Sequence, residues 1–498
     1  MSYRVLVALM LAIGSVSLPG AASAQAAPAC QFVLGFATLH ASLATIVGDC
    51  LDDEQHNPAN GDALQHTTHG LLVWRKADNF TAFTNGGQSW IAGPDGLAER
   101  PNDQRYAWEA NPTALPEVPT VPGVLPGIQA SGASGLVATT LQVPAAYRGG
   151  VFAQARAIDL PPGYHISVFA AGLNGPRGLA FSPQGDLYVT LQAAGRVVAL
   201  PDRQHTGAAG QVVGVASGLL NPFGLAFHDG ALYVGETTQV DRFPVDPASL
   251  QVGNGQVVVS GLPGDVGHIT RTVQFGPDGK LYVSIGSSCN LCVEGDARRA
   301  TIMQFNADGS GGRIYARGMR NAVGFAFQPG TGLLWTTVNG QDSLGDDVPG
   351  EDVSAVQSGD NFGWPYCYGD RQTDPSLAAP SANYCAGTTE PTLQLQAHMA
   401  PLGATFATSP QLPAGQWGSL LVALHGSQHA SFYSGYKIMR VAMQGPQPTS
   451  VSDFATGWLT NGGYWGRPVA IVQGPDGAFY VSDDLADAVY RIWYDGQS

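Results

Sequence analysis

Short apolar segments recur in the second part of the chain, and each is followed by a turn and a segment in which apolar and polar residues alternate. Examples are RGLAFSPQGDLYVT from Arg177, FGLAFHDGALYVGE from Phe223 and RTVQFGPDGKLYVS from Arg271. Alternation with a period of two is typical of half-buried strands. Pro-Asp-Gly and His-Asp-Gly between the segments supply tight-turn residues. The pattern therefore predicts β-hairpins.

Further copies begin at Val323 and Val469, and a weaker copy begins at Leu402. The first four copies start about 46 to 52 residues apart, which is near the length of a four-stranded propeller blade. Later intervals are longer and indicate inserted loops. A β-sandwich would also give many short strands, but not this recurring phrase. Six copies predict an all-β fold, a six-bladed β-propeller over residues 155–498.

The first part of the chain is organised differently. Residues 25–112 are rich in aromatic residues and turns, and segments 70–74 and 80–84 resemble strands. They predict a small N-terminal, disulfide-tied, mainly β domain, to which the sequence assigns no function. Residues 113–154 are rich in Pro, Ala and Gly, a composition typical of a linker or of an extended segment that wraps around a domain.

Charge and composition narrow the choice of partners. The formal net charge is -15, only 12% of residues are charged, and no Lys/Arg cluster is present. An acidic chain repels phosphate backbones, so nucleic acid is not expected as a partner.

The N-terminus has the features of an export signal. Arg4 precedes an apolar stretch, and Ala22-Ser23-Ala24 offers a cleavage site. Residues 1–24 are therefore predicted to be a signal peptide, and the mature chain is predicted to be secreted or periplasmic; an uncleaved membrane anchor is the alternative. No later run reaches about 18 apolar residues, so no membrane span is expected.

Six cysteines follow this signal, an even number that suits an oxidising compartment. Proximity in sequence favours Cys30–Cys50, Cys289–Cys292 and Cys367–Cys385, one of the 15 pairings that six cysteines allow. Cys292 is not followed by His, which excludes c-type haem attachment. A redox-active thiol pair at Cys289 and Cys292 remains an alternative to a structural disulfide.

Three segments could carry chemistry. His268, at the start of a repeat, could accept a proton near neutral pH or could simply hydrogen-bond a loop. Arg320 and Asn321 offer donors suited to carboxylates, with an exposed surface arginine as the plain alternative. The segment from Asn339 to Asp352 combines oxygen-bearing side chains with glycines, which suits Ca²⁺ or a solvated acidic loop.

These segments bring out a family resemblance. GHITRTVQFGPDGKLYVSIGSSCNLCVEGDARRATIMQFNADGSG, ARGMRNAVGFAFQPGTGLLWTTVNGQDSLGDD, NFGWPYCYGD and HMAPLGATF resemble the sorbosone dehydrogenase-type branch of the soluble sugar dehydrogenases that depend on pyrroloquinoline quinone (PQQ). The resemblance covers about residues 158 to 494 and excludes the N-terminal region. It implies a propeller that oxidises a sugar with PQQ and Ca²⁺ and passes electrons to an external acceptor.

The resemblance also implies roles for individual residues. His268 would be the general base, and Arg320 would lie over the quinone carbonyl with Asn321 beside it. The cofactor would further contact Asn339, His425 and Arg467, the last pairing with a PQQ carboxylate. Backbone carbonyls of Gly340 and Gln341 would bind Ca²⁺.

The chain departs from the family pattern at the cofactor side of this expected site. Related glucose enzymes carry a lysine where this chain has Leu424-His425, and a second arginine where it has Pro468 and Val469. HGSQHA replaces the usual HGSWNR. Substrate identity therefore stays open, and two alternatives remain: a non-catalytic binding module, and a Ca²⁺-dependent hydrolase of the lactonase type.

Overall fold

The computed structural model describes residues 30–496 except 57–61, 76–79, 86–87, 94–95, 102–134, 247, 414, 428–429 and 462. The predicted signal peptide and the first part of the predicted linker lie outside these residues. Antiparallel strands dominate the described residues, which confirms the all-β prediction. Among the described helices, none combines the length and the apolar character needed to cross a bilayer.

One helix, Leu34–Val47, opens the described chain, and the sequence analysis did not predict it. Phe36, Leu39 and Leu43 follow one another at helical spacing, and with Val47 they are buried along one face. That face packs on the N-terminal sheet. Spacings of three and four residues between apolar positions were the available signal. The helix ends at Gly48, whose φ of 74° favours glycine.

The N-terminal sheet is an antiparallel meander of six strands. The disulfide Cys30–Cys50 joins the residues just before and after the helix to each other. Cys289–Cys292 and Cys367–Cys385 are also present, so all three predicted disulfides are confirmed. The strands of this sheet are Gln55–His56, Ala63–Thr67, Gly70–Arg75, Phe80–Thr84, Gln88–Gly93 and Gly96–Pro101.

Six four-stranded antiparallel sheets, numbered here 1 to 6, follow. Sheet 1 contains Pro176–Phe181, Leu187–Leu191, Arg196–Leu200 and Val213–Ser217, and sheet 2 contains Leu225–His228, Ala231–Glu236, Gln239–Pro244 and Gln256–Val259. Sheet 3 contains Val273–Phe275, Leu281–Ile285, Thr301–Phe305 and Arg313–Arg317, and sheet 4 contains Ala322–Phe327, Leu334–Val338, Glu351–Val356 and Leu393–Leu395. Sheet 5 contains Pro401–Phe406, Leu420–Leu424, Lys437–Gln444 and Gln447–Ala455, and sheet 6 contains Pro468–Gln473, Phe479–Asp483, Ala488–Tyr494 and Tyr164–Ala171.

Each sequence copy supplies the first two strands of one sheet. In sheet 1, for example, Pro176–Phe181 pairs with Leu187–Leu191 across the turn that contains Gly185. The second strands are buried along their whole length because neighbouring sheets cover both faces. Their mainly apolar composition follows from this position.

Consecutive sheets contact one another in a closed ring, mainly through their first strands. The hydroxyl of Thr190 in sheet 1 donates to the carbonyl of Phe223, 3.0 Å away, at the start of sheet 2. Sheet 6 meets sheet 1 through the hydroxyl of Ser482, which donates to the carbonyl of Arg177 at 2.6 Å. Phe223, Val323, Leu402 and Val469 form an apolar cluster between the first strands.

Sheet 6 is completed by a strand from far earlier in the chain. Tyr164–Ala171 pairs with Ala488–Tyr494, near the C-terminus. The register joins His165 to Trp493 and Ile166 to Ile492. The ring is thus closed by non-local pairing.

The remaining described elements are short. Three pairs of strands are Val137–Thr140 with Ala157–Leu160, Cys367–Tyr368 with Gln372–Thr373, and Leu459–Thr460 with Gly463–Tyr464. Short 3-10 helices span Ala145–Tyr147, Gly150–Phe152 and Cys385–Gly387.

Candidate functional site

A cavity of about 400 Å³ lies at one edge of sheets 3 to 6. Its lining comes from residues just before a first strand, just after a second strand, or at the start of a third strand. Antiparallel order brings these chain positions to the same edge of each sheet. The lining residues are His268, Arg320, Asn321, Asn339, Gly340, Asp342, Glu351, His398, Ala400, Gly426, Ser427 and Arg467.

His268 precedes the first strand of sheet 3. Its Nδ1 lies 3.0 Å from both the carbonyl oxygen and the hydroxyl oxygen of Ser287. A carbonyl only accepts, so Nδ1 carries the proton and Nε2 keeps its lone pair. Burial, and then the positive charge of Arg320, lowers the pKa of His268 from 6.5 to about 4. The imidazole is therefore neutral at pH 7 and able to accept a proton.

Arg320 precedes the first strand of sheet 4, and only 8% of its side chain is exposed. Nε donates to the carbonyl of Asn290 at 3.0 Å, and Nη2 donates to the side-chain Oδ1 of the same residue at 2.7 Å. Nη2 also lies 3.2 Å from a carboxylate oxygen of Asp342. Burial lowers the pKa of Arg320, while Asp342 and Glu351 oppose that change. The guanidinium is thus held in one plane beside the cavity.

Asn321 and Asn339 lie beside Arg320 at the same edge of sheet 4. The Oδ1 atom of Asn321 is buried and accepts no hydrogen bond from any described residue. The side chain of Asn339 donates to the carbonyl of Pro401 at 2.6 Å. A buried acceptor without a donor is costly, so Asn321 holds an acceptor that the described residues leave unsatisfied.

Glu351 is a buried carboxyl that the sequence analysis noted only as part of an acidic segment. It accepts hydrogen bonds from the backbone N–H groups of Gly340, at 2.7 Å, and Ala400, at 3.2 Å. Burial raises the pKa of Glu351 to about 7, although these two hydrogen bonds act in the opposite direction. Gly340 itself lines the cavity.

Arg467 lines the cavity from the start of sheet 6. Its Nε donates to the carbonyl of His425 at 3.2 Å, and its Nη2 donates to the carbonyl of Gly426. The guanidinium carbon lies 5.8 Å from the ring centre of Tyr436 and 5.9 Å from that of Tyr464. Aromatic faces attract a cation at such distances. A second guanidinium therefore borders the cavity.

Two predicted site residues are not among the lining residues. The imidazole of His425 bonds to Asp484, with Nε2 2.9 Å from Oδ1, and burial lowers the pKa of His425 to about 4. Its contact with the site is the backbone carbonyl that accepts from Arg467. The side chain of Gln341 is buried and donates to Asp374 at 2.7 Å. These contacts depend on residues distant in sequence.

The cavity also contains His398, which the sequence left open between a pocket residue and a core or loop histidine, and three residues to which the sequence gave no role. His398 is buried, and its Nε2 lies 2.8 Å from the carbonyl of Gly345. The other three residues, Ala400, Gly426 and Ser427, also line the cavity. Their positions next to repeat strands could have predicted them, because residues at the ends of those strands line the cavity.

A second, larger cavity of about 650 Å³ lies against sheet 3 and has acidic lining from Asp265, Glu294 and Asp296. Arg299 lies there as well and pairs with Asp265 at 2.5 Å. None of the predicted site residues lines this cavity. We therefore place the candidate site in the smaller one.

Fold and cavity together define an all-β protein with an enzyme-like site at the strand ends of a closed ring of sheets. The sequence profile described as TrAA12-like matches residues 158–495. The chain belongs to this family of PQQ-dependent sugar dehydrogenases, which are oxidoreductases. The resemblance stated from sequence is thereby confirmed.

Curated relatives are consistent with this family. A PQQ-dependent sugar dehydrogenase of Hypocrea jecorina is 26% identical over 395 residues, which cover 68% of this chain and 86% of the relative. A PQQ-dependent pyranose dehydrogenase of Coprinopsis cinerea is 26% identical over 403 residues, covering 67% of this chain and 54% of the relative. This chain thus spans about half the length of the Coprinopsis protein. An uncharacterized protein of Borreliella burgdorferi is 26% identical over 360 residues, covering 68% and 91%.

Solved structures share the fold. The calcium structure of a Trichoderma reesei enzyme of family AA12 superposes with a TM-score of 0.61 at 22% identity, covering 68% of this chain and 96% of that one. The holo form of the PQQ domain of Coprinopsis cinerea pyranose dehydrogenase gives a TM-score of 0.59 at 23% identity, covering 72% and 100%.

Proposed function

We propose that the protein oxidises an aldose or a related sugar, of the sorbosone or glucose kind, with PQQ and Ca²⁺, and passes the electrons to an external acceptor. The observation that carries this proposal is the convergence of His268, Arg320 and Arg467 on one cavity. A neutral base, a buried cation beside it and a second cation are the parts that sugar oxidation with an anionic cofactor needs.

The residues of the cavity fit PQQ, which is a tricarboxylated quinone. Arg467 would pair with a carboxylate, and Arg320 would face the carbonyl that takes up charge. The acceptor Oδ1 of Asn321, which no described residue satisfies, suits a donor on whatever fills the cavity. Asn339 borders the same space. His425 would act through its backbone, which holds Arg467.

The oxygen chemistry around Gly340 fits Ca²⁺. Hard cations prefer carbonyl and carboxylate oxygens at loose geometry. Gly340 and the carboxylates of Asp342 and Glu351 line the cavity together. We infer that the backbone carbonyls of Gly340 and Gln341 bind the ion. Glu351, buried beside Gly340, would ionise in the presence of that positive charge.

The chain's own residues explain how a sugar would react. Bound PQQ supplies a hydride acceptor when Ca²⁺ polarises its carbonyl. His268 keeps Nε2 unprotonated because Nδ1 donates to Ser287. It would therefore take the proton of the reacting sugar hydroxyl. Arg320, held by Asn290 and Asp342, would stabilise negative charge that develops beside it.

We further propose that the six sheets are the blades of a six-bladed β-propeller formed by residues 155–498. This is supported by the ring of contacts between consecutive sheets and by the closing strand Tyr164–Ala171. Residues 25–112 would be a separate small domain tied by Cys30–Cys50, and residues 113–154 a linker whose last part, from Val137, packs against the ring of sheets. Three disulfides support an oxidising, extracytoplasmic compartment reached by way of a signal peptide at residues 1–24.

The proposal is tested by adding PQQ and Ca²⁺ to metal-stripped protein and following dye reduction with a panel of aldoses and sorbosone. We expect activity that needs both additions and that His268→Ala or Arg320→Ala abolishes. Arg298→Ala is the matched control, because this arginine is 40% exposed and pairs with Asp296 away from the cavity. If PQQ does not bind even at saturating concentration, the proposed function is wrong.

A further inference from the structure

One short segment, residues 287–292, contacts both of the residues to which the proposed chemistry is assigned. It follows the second strand of sheet 3, and the disulfide Cys289–Cys292 closes a ring around Asn290 and Leu291. None of its residues lines the candidate site. It can therefore act on the reaction only through the side chains that it contacts.

Asn290 fixes the guanidinium of Arg320 at two points. The Asn290 carbonyl accepts from Nε at 3.0 Å, and the side-chain Oδ1 accepts from Nη2 at 2.7 Å. The same Oδ1 accepts from the backbone N–H of Asp342 at 3.0 Å. A planar guanidinium held along one edge cannot rotate, and its remaining donors keep a fixed direction.

Ser287 fixes the imidazole of His268 and the backbone of Arg320. Its carbonyl lies 3.0 Å from His268 Nδ1 and sets the tautomer of the ring. Its backbone N–H donates to the carbonyl of Arg320 at 2.8 Å. Ser287 and Asn290 are three positions apart, so the distance between base and cation depends on the conformation of this segment.

The conformation of the segment is itself fixed at several points. The hydroxyl of Ser287 donates to the carbonyl of Cys289 at 2.7 Å. Ser288 donates to Glu294 from both its backbone and its hydroxyl, each at 2.7 Å. The side-chain amide of Asn290 donates to the hydroxyl of Ser343 at 2.6 Å. The disulfide removes the remaining freedom of the loop.

We propose that residues 287–292 are a positioning element for the reaction, in which Asn290 aims Arg320, Ser287 aims His268, and Cys289–Cys292 keeps the two in register. This rests on the proposed function and assigns the disulfide a structural role in the site. Misplacement of a reacting group by about 1 Å can lower the rate about 100-fold. A segment that holds both side chains in place would therefore preserve the rate.

The test uses four variants of the full chain. Asn290→Ala removes the side-chain contacts to Arg320, whereas Asn290→Asp keeps the acceptor Oδ1. The pair Cys289→Ser with Cys292→Ser opens the ring. Leu291→Ala is the matched control, since Leu291 lies in the same ring and makes no polar side-chain contact. Thermal unfolding of each variant establishes that it is folded.

The first measurement is PQQ binding to the apoprotein with Ca²⁺, by titration. We expect Asn290→Ala to weaken binding by about 10-fold, because a hydrogen bond to the charged guanidinium is lost. The opened ring should weaken it by a similar factor, because the loop that holds Arg320 gains freedom. Asn290→Asp and Leu291→Ala should remain within about 3-fold of the parent protein. Equal losses in Leu291→Ala and Asn290→Ala would overturn the proposal, because they would indicate a general packing effect.

The second measurement needs no cofactor. Arg320 lowers the pKa of His268, which also faces Asp342 and Arg271. If Asn290→Ala releases Arg320, the pKa of His268 rises in an NMR titration of the apoprotein, whereas in Leu291→Ala it does not. An unchanged pKa in Asn290→Ala overturns the positioning role. Failure of the parent protein to bind PQQ overturns the proposed function instead and leaves this titration as the decisive test of the element.

Discussion

Burial and a neighbouring positive charge act on the imidazole of His268 in the same direction, and both favour its neutral form. The hydrogen bond to Ser287 opposes them but also fixes which nitrogen is protonated. A base whose pKa lies well below the working pH stays available to accept a proton. Its basicity is then modest, so the proposed reaction would depend more strongly on Arg320 and the proposed cofactor.

At the residue scale we predict that His268 of the apoprotein titrates with a pKa of about 4, below its ordinary value of 6.5. Because the pKa is lowered, the ring stays neutral as pH falls from 7 to about 5 and protonates only below that range. NMR of the imidazole signals, assigned with His268→Gln, measures it. A pKa at or above 6.5 would contradict the burial and charge described for this residue.

At the scale of elements, the ring of sheets depends on close backbone approach between first strands. Gly403 in sheet 5 is an example, since a Cβ there would lie 2.6 Å from the Cα of Ala470 in sheet 6. Neither backbone can move away cheaply, because each belongs to a paired strand. This glycine is required by packing between sheets.

We therefore predict that Gly403→Ala destabilises the protein by about 1–3 kcal/mol, the usual cost of overpacking. The matched control is Gly149→Ala, where an added Cβ meets nothing within 4 Å and φ is an extended -151°. Thermal unfolding of the two variants measures the difference. Equal melting temperatures would show that sheets 5 and 6 can separate without cost.

The N-terminal helix shows a limit of element prediction from sequence. Leu34–Val47 has apolar residues at helical spacing, yet the β-rich composition around it favoured strands. In the structure its apolar face is satisfied by the sheet beneath it. Tertiary packing of an amphipathic face, more than local propensity, stabilises helices of this length.

At the scale of the whole molecule, closure of the ring of sheets depends on Tyr164–Ala171, which pairs with Ala488–Tyr494 near the C-terminus. Without it, Ala488–Tyr494 would have an unpaired edge, and buried residues such as Ile166 and Val168 would be lost from the core. One early strand thus stabilises a ring built mainly from later sequence.

We predict that a shortened chain beginning at residue 135 unfolds cooperatively and binds PQQ, whereas one beginning at residue 172 does neither. The two differ by the closing strand and the hairpin before it, in which Gln142 bonds to Ile166 and Val168. Calorimetry and PQQ titration compare them. Cooperative unfolding of the shorter chain would show that the ring does not need this strand.

Much of the architecture could be predicted because it is encoded locally. Each hairpin carries its own alternation and turn residues, and each disulfide joins cysteines close in sequence. Six copies then predicted the number of four-stranded sheets. His268 and Arg320 stood out in the sequence just before repeat strands, and the family resemblance pointed to Arg467. All three line the cavity at the shared edge, and their roles stay predictions.

What only the tertiary structure decided is how side chains at that edge are partnered. His425 turns to Asp484, Glu351 is buried under Gly340, and Asn290 holds Arg320. Such contacts join residues from different sheets or inserted loops, and no local pattern specifies them. The sequence by itself determined the repeating strands, through the alternation of apolar and polar residues. The closed ring determined which polar groups meet, because burial and charge act between residues that are neighbours in space.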